Sequence, residues 1–97
     1  MAYPTDGLPP IHPGIFLRDD LDTLGLSAGE FAEHIRVPDI EVTEIVNGDR
    51  PITARMAIRL GLAFGISPQY WLNLQSIHDL KVARAEMPAD LRIEAYA

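Results

Sequence analysis

The stretch Arg36-Val37-Pro38 constrains this chain more than any other. Pro38 has no N–H to donate and pushes Val37 out of helical backbone, so a helix running into it must stop. Proline is well suited to open the next helix, where its missing donor is not needed. Apolar residues keep helical spacing on both sides: Phe31, Ala32 and Ile35 before, Val42, Ile45 and Val46 after. Ser27-Ala28-Gly29-Glu30 opens the first of these helices as a capping box. Asn47-Gly48 stops the second, because both residues tolerate left-handed backbone. Two short helices therefore meet across a tight turn.

A helix-turn-helix needs a small residue midway along its first helix, an apolar residue in the turn and branched residues buried along the second. Ala32, Val37, Val42 and Ile45 supply these at the right spacing. One departure is Arg36, where such turns often hold glycine for its conformational freedom. The competing reading is an ordinary bundle of amphipathic helices, for which a short helix, a short turn and a proline-started helix are unusual parts.

The rest of the chain frames this pair. Residues 1–11, with Pro4, Gly7, Pro9 and Pro10, read as an extended arm. Pro13 then starts a helix carrying Leu17, Leu21 and Leu24, ended by Gly25. Thr53 caps a fourth helix with Met56, Ala57, Leu60, Ala63 and Phe64 inward, closed by Gly65. Ser67-Pro68 starts a fifth, which runs to about Glu86 before Met87-Pro88. The expected fold is all-α, a five-helix bundle of the Xre or lambda-repressor-like helix-turn-helix type. It has one domain over 12–87 and a C-terminal tail over 88–97. Only Leu91 to Tyr96 hints at a strand, and it is too short to carry weight.

The fifth helix has apolar residues on more than one face: Tyr70, Trp71, Leu72, Leu74, Ile77 and Leu80. A monomer of this size needs one buried face, so the surplus points to a dimer interface through Trp71, Leu74, Ile77 and Leu80. The alternative is a thicker monomer core.

Charge bears directly on the partner. Eight Lys and Arg against fourteen Asp and Glu give −6, and no segment is basic overall. Phosphate neutralisation needs cations, so a DNA-facing surface must be local, a few arginines with the acids turned away. The absence of cysteine removes disulfides and thiolate chemistry and is compatible with a cytoplasmic location. Nothing before Pro10 reads as a secretory signal, and no run is long enough to span a membrane. His12, His34 and His78 are scattered, and Glu30, Glu33 and His34 match no zinc pattern, so no metal or cofactor is expected. No nucleophile constellation, phosphate loop or paired-carboxylate cleft can be assembled, so an enzyme is not expected. Asp19, Asp20 and Asp22 read as a solvated face that could also dock a basic partner.

The chain resembles the HigA-type antitoxins of bacterial toxin–antitoxin modules, within the Xre repressor class. The shared text includes His12-Pro13-Gly14, Leu24-Gly25-Leu26-Ser27, Val46-Asn47-Gly48, Ile52-Thr53-Ala54, Ala57-Ile58-Arg59-Leu60-Gly61, Phe64-Gly65 and Ser67-Pro68-Gln69-Tyr70-Trp71-Leu72-Asn73-Leu74-Gln75. The string ending Trp-Leu-Asn-Leu-Gln is its most specific part. The resemblance implies a five-helix dimer that binds a palindromic DNA operator, represses its own operon and holds a RelE-like ribonuclease toxin inactive. Rivals are an orphan regulator without a toxin and a protein-interaction module with weakened DNA binding. Leu21 and Val46 stand where many Xre relatives pair an Arg with a Glu, a hydrophobic substitution that need not lower stability.

The chain departs from its apparent family at the start of the recognition helix. Asn and Arg are usual there; this chain has Asp39, Ile40 and Glu41. A carboxylate can accept from cytosine N4 but is repelled by phosphate. Either Glu41 and Thr43 read a cytosine-rich operator, or DNA affinity is weak. Both acids also offset the helix dipole, which is a sufficient structural reason for them. Phosphate contacts are assigned to Arg50, Arg55 and Arg36, and to the backbone N–H groups of Ala28 and Gly29 at a helix start. Each arginine is otherwise a solvated surface charge. Arg59 reads as a partner in a structural ion pair.

Overall fold

The computed structural model describes residues 8–96. Five helices follow one another: α1 (Gly14–Leu24), α2 (Ala28–Ile35), α3 (Asp39–Val46), α4 (Ala54–Phe64) and α5 (Pro68–Glu86). There is no strand among the described residues, and Leu91 to Tyr96 is exposed coil. The part of the expected arm within residues 1–7 lies outside the described residues; Leu8 to Ile11 is irregular.

Local chemistry sets the boundaries. Ser27 Oγ accepts from Glu30 N at 3.0 Å and Glu30 Oε1 accepts from Ser27 N at 3.0 Å, completing the capping box. Those bonds hold the Glu30 carboxyl below its ordinary pKa. Thr53 and Ser67 cap α4 and α5 through their hydroxyls. Pro68 occupies the first position of α5 as expected, whereas Pro13 and Pro38 stand one residue earlier, at the cap positions of α1 and α3. In the Asn47-Gly48 stop only Gly48 is left-handed, with φ 80°.

The core is one cluster drawn from all five helices, with Leu17, Phe31, Ala32, Val42, Ile45, Leu60 and Trp71 fully or almost fully buried. Leu21 belongs to it and Val46 packs against it, so the expected apolar pair stands at those positions. Phe31, Phe64 and Trp71 form an aromatic run, with centroids 5.4 Å apart for the first pair and 6.1 Å for the second.

The turn between α2 and α3 accepts Arg36 in left-handed backbone, φ 61° and ψ 51°, the single non-glycine positive φ among the described residues. An L-residue there costs about 1–2 kcal/mol. Two features offset the strain. Val37 N donates to Ala32 O at 3.0 Å, closing the turn. Arg59 Nη1 donates to Ile35 O at 2.5 Å and reaches Arg36 O at 3.5 Å. Arg59 was expected to pair with an acid; it instead satisfies the orphan carbonyls at the end of α2, where a cation also suits the dipole.

At the far side, α1 begins against the end of α3. His12 Nδ1 accepts from Gly14 N at 2.9 Å, and the His12 ring meets the His78 ring edge-on at 5.1 Å. Gln75, buried, accepts from Ile52 N at 2.7 Å and donates to Asp79 Oδ1 at 2.8 Å. Burial, then the charge of His78, lowers the His12 pKa against weaker opposing pulls from the Arg50 backbone, Asp79 and Asp49. His12 is therefore neutral when folded over a range where it is already charged when unfolded. In that range the unfolded state binds more protons, so stability falls as pH drops below about 6.5 and levels off below the folded pKa. Thermal melts between pH 7.5 and pH 5 are expected to show this loss. His12→Asn keeps an acceptor for Gly14 N and is expected to flatten the slope over that interval. An unchanged slope would remove His12 as its source.

Candidate nucleic-acid interface

The helix-turn-helix frame fixes which face of α3 is free. Val42 and Ile45 point into the core at 0% exposure, which leaves Asp39, Ile40 and Thr43 on the outer side. Ile40 is 56% exposed, an apolar side chain outside the core cluster. On a recognition helix that is the kind of group that meets a thymine methyl. Thr43 is half-buried beside it in sequence and carries a hydroxyl that can bond to any base edge.

The charged residues are arranged differently from the sequence expectation. Glu41 does not present a free carboxylate. Its side chain is only 17% exposed, and its Oε1 lies 3.1 Å from Arg55 Nη1 and 3.5 Å from Arg50 Nη1. The second oxygen is 3.4 Å from Arg55 Nη1. Arg50 Nη2 also donates to Glu44 Oε1 at 3.3 Å. Arg50 and Arg55, both expected to hold phosphates, are thus brought together, but through carboxylates of α3. Sequence reasoning missed this because Glu41 and Arg55 lie fourteen positions apart and meet only when the tertiary fold brings the first turn of α4 up to α3.

Ala28 and Gly29 stand half-buried at the head of α2. Asp39 lies against them: its Oδ2 is 3.1 Å from where a Cβ on Gly29 would stand. Arg36 sits apart from this group. It lines a cleft of about 350 Å³ with His34, Ile35, Arg59, Leu62 and Ala63. The geometry therefore assembles Ala28, Gly29, Asp39, Ile40, Glu41, Thr43, Arg50 and Arg55 around α3 and leaves Arg36 in a separate cleft. Among the described residues no group of His, Asp or Glu could hold a metal ion.

The expected dimer residues divide as well. Trp71 is fully buried within its own chain and is withdrawn from that assignment; its ring fills the core beside Phe64. Leu74 packs partly against the same core. Ile77 and Leu80 are exposed, at 57% and 49%. Further exposed apolar side chains, Ile58 and Leu62 on α4 and Ile66 in the loop after it, were not anticipated. The signal for Ile58 and Leu62 was present at helical spacing along the fourth helix, away from the residues read as core.

Comparison with known proteins gives a consistent picture. The helix-turn-helix family model matches residues 17–71. A HigA-family addiction module antidote protein from Coxiella burnetii is 45% identical, with 81% of this chain and 87% of that one covered and a TM-score of 0.80. PA4674 from Pseudomonas aeruginosa, solved in complex with its operator DNA, is 41% identical over 92% of this chain and 99% of that one, with a TM-score of 0.84. The Pseudomonas aeruginosa antitoxin HigA, solved with the higBA promoter, is 41% identical over 84% of this chain and 99% of that one, with a TM-score of 0.77.

Proposed function

This chain belongs to the helix-turn-helix family of HigA-type antitoxins and DNA-binding regulators, and we propose that it is the antitoxin and autorepressor of a toxin–antitoxin operon. The family is one of DNA-binding proteins, not enzymes. The observation that carries the reading is the exposed Ile40 and half-exposed Thr43 on a recognition helix whose other face is locked into the core. Similar chains that hold operator or promoter DNA support it.

In this reading a homodimer sets two copies of α3 in successive major grooves, about 34 Å apart, on a palindromic operator. Ile40 and Thr43 touch base edges, while Ala28, Gly29, Arg50 and Arg55 face phosphates. The partner toxin is a RelE-like ribonuclease and the setting is the cytoplasm. No helix among the described residues is long and apolar enough to cross a membrane.

The dimer forms through the exposed apolar residues of α5. Ile77→Glu is expected to give a folded monomer by light scattering and circular dichroism, because Ile77 contributes little to its own core. Monomers from Leu62→Glu with a dimeric Ile77→Glu would move the interface to α4. A monomeric wild type at micromolar concentration would remove the dimer altogether. With Arg50 and Arg55 as the phosphate-facing cations of each subunit, a dimer neutralises roughly four phosphates, so log K against log salt should have a slope of about −4. A slope near −10 would require a basic surface that this fold does not offer. Co-expression with the product of a short basic reading frame beside the gene tests the toxin: a stable complex is expected, and its absence favours an orphan regulator.

A further inference from the structure

Two acids, Asp39 and Glu41, stand in the first turn of the recognition helix, and the structure gives Glu41 something specific to do. Its carboxylate lies under two arginines that come from outside α3, Arg50 in the loop after it and Arg55 in the first turn of α4. The Glu41 side chain is largely shielded from water, at 17% exposure, whereas Arg50 and Arg55 are 37% and 53% exposed. Glu44, at 34%, takes a second hold on Arg50. The four residues carry two positive and two negative charges, so the group is neutral overall. Arg55 is on the outside of this group and the Glu41 carboxylate on the inside, with Arg50 and Glu44 between them.

We propose that Glu41 is a specificity-determining residue that acts through Arg50 and Arg55, holding them away from phosphates unless base contacts have already docked the recognition helix. The inference rests on the DNA-binding reading above and refines it. Sequence-independent affinity comes almost wholly from cations that displace counterions at phosphates. Two arginines already neutralised by carboxylates release few counterions on random DNA. On the operator, Ile40 and Thr43 reach base edges without any charge, and that binding energy lets the arginines exchange a carboxylate for a phosphate. The pairing thus subtracts more from random DNA than from the operator. A difference of affinities is what specificity is, and weakening the wrong complex is one way to produce it. It also accounts for a DNA-binding face in a chain of net charge −6.

The test compares wild type with Glu41→Gln and Glu44→Gln by fluorescence anisotropy. The probes are the gene's own upstream region and a random duplex of equal length, each at three salt concentrations. Glu41→Gln is expected to tighten random-duplex binding about tenfold and steepen its salt slope by about two, as arginines in both subunits become free for phosphates. Binding to the upstream region should tighten less, so the ratio of the two affinities falls. Glu44→Gln, which frees part of Arg50 alone, should show the same pattern at smaller size. Melting curves for both variants guard against a folding defect, which would weaken both complexes without steepening either slope.

Three outcomes overturn the proposal. Equal tightening on both duplexes would make Glu41 a general repulsion. Weakening on both, with a folded variant, would make it a strut that aims the arginines at DNA. Loss confined to one base pair of the operator would make it a direct reader of cytosine. If wild type shows no preference for its upstream region while Glu41→Gln gains on random DNA with a steeper slope, the arginine restraint stands and the autorepressor reading fails.

Discussion

Trp71→Ala is expected to lower stability by about 3–5 kcal/mol, the range for removing a large aromatic side chain from a core. That is a large fraction of the total stability of about 5–15 kcal/mol for a domain of this size. The indole is fully buried, packs against Phe64 at 6.1 Å and Tyr70 at 5.3 Å, and joins the first turn of α5 to the aromatic run that ends in Phe31. Its Nε1 is buried and has no partner in the described structure. Trp71→Phe removes that unpaired donor, whose burial costs about 1–3 kcal/mol, and this offsets part of the volume lost. It should therefore be much milder than Trp71→Ala. Urea unfolding at one fixed protein concentration measures both, since linkage to a dimer makes the midpoint depend on concentration. A stably folded monomer from Trp71→Ala would return Trp71 to the dimer interface.

Gly14→Ala is expected to be nearly as damaging, although it adds only one methyl group to the first turn of α1. A Cβ at Gly14 would stand 1.7 Å from the Ile45 carbonyl oxygen and 2.7 Å from its carbon. Both are backbone atoms and cannot swing aside, so the head of α1 and the end of α3 must separate. Overpacking typically costs 1–3 kcal/mol when side chains can yield; here the expected loss is about 3 kcal/mol or more. Because α3 is the recognition helix, DNA binding should fall with stability. Gly29→Ala is the control. Its Cβ would meet the Asp39 carboxylate at 3.1 Å, the end of a flexible side chain, and Ser27 Oγ at 4.0 Å, an ordinary contact. Helix propensity favours alanine by up to about 1 kcal/mol, so that variant should change stability little. A Gly14→Ala protein as stable as Gly29→Ala would show that the two helices are not in close backbone contact.

These two sites also mark where sequence reading succeeds and where it stops. The helices, the caps at Ser27, Thr53 and Ser67, and the buried set Ala32, Val37, Val42 and Ile45 are legible because each is a local pattern. Spacing of apolar residues and the chemistry of the first turn decide them. Trp71 was read outward because α5 has apolar residues on several faces. Only the packing of α4 shows that this one turns inward. Gly14 carried no local sign of its role, since the carbonyl it must avoid belongs to Ile45, thirty-one positions on. The same holds for the site. Ile40 and Thr43 could be placed on the outer face from period alone, whereas the grip of Glu41 on Arg55 and of Arg59 on the α2 carbonyls is created by α4 folding beside the motif. Charges of long side chains are the least readable elements, because their partners are chosen by tertiary structure rather than by neighbours in the chain.

Nuclease footprinting of the purified protein on its own upstream region reads out operator binding by a dimer. One protected segment is expected at moderate salt, with two half-sites related by a two-fold axis and centres about 10–10.5 base pairs apart. Random competitor duplex in tenfold excess should leave that protection in place. A footprint that is absent at micromolar protein, or that the competitor erases in proportion to its mass, would contradict it and leave the chain as a protein-interaction module on a helix-turn-helix frame.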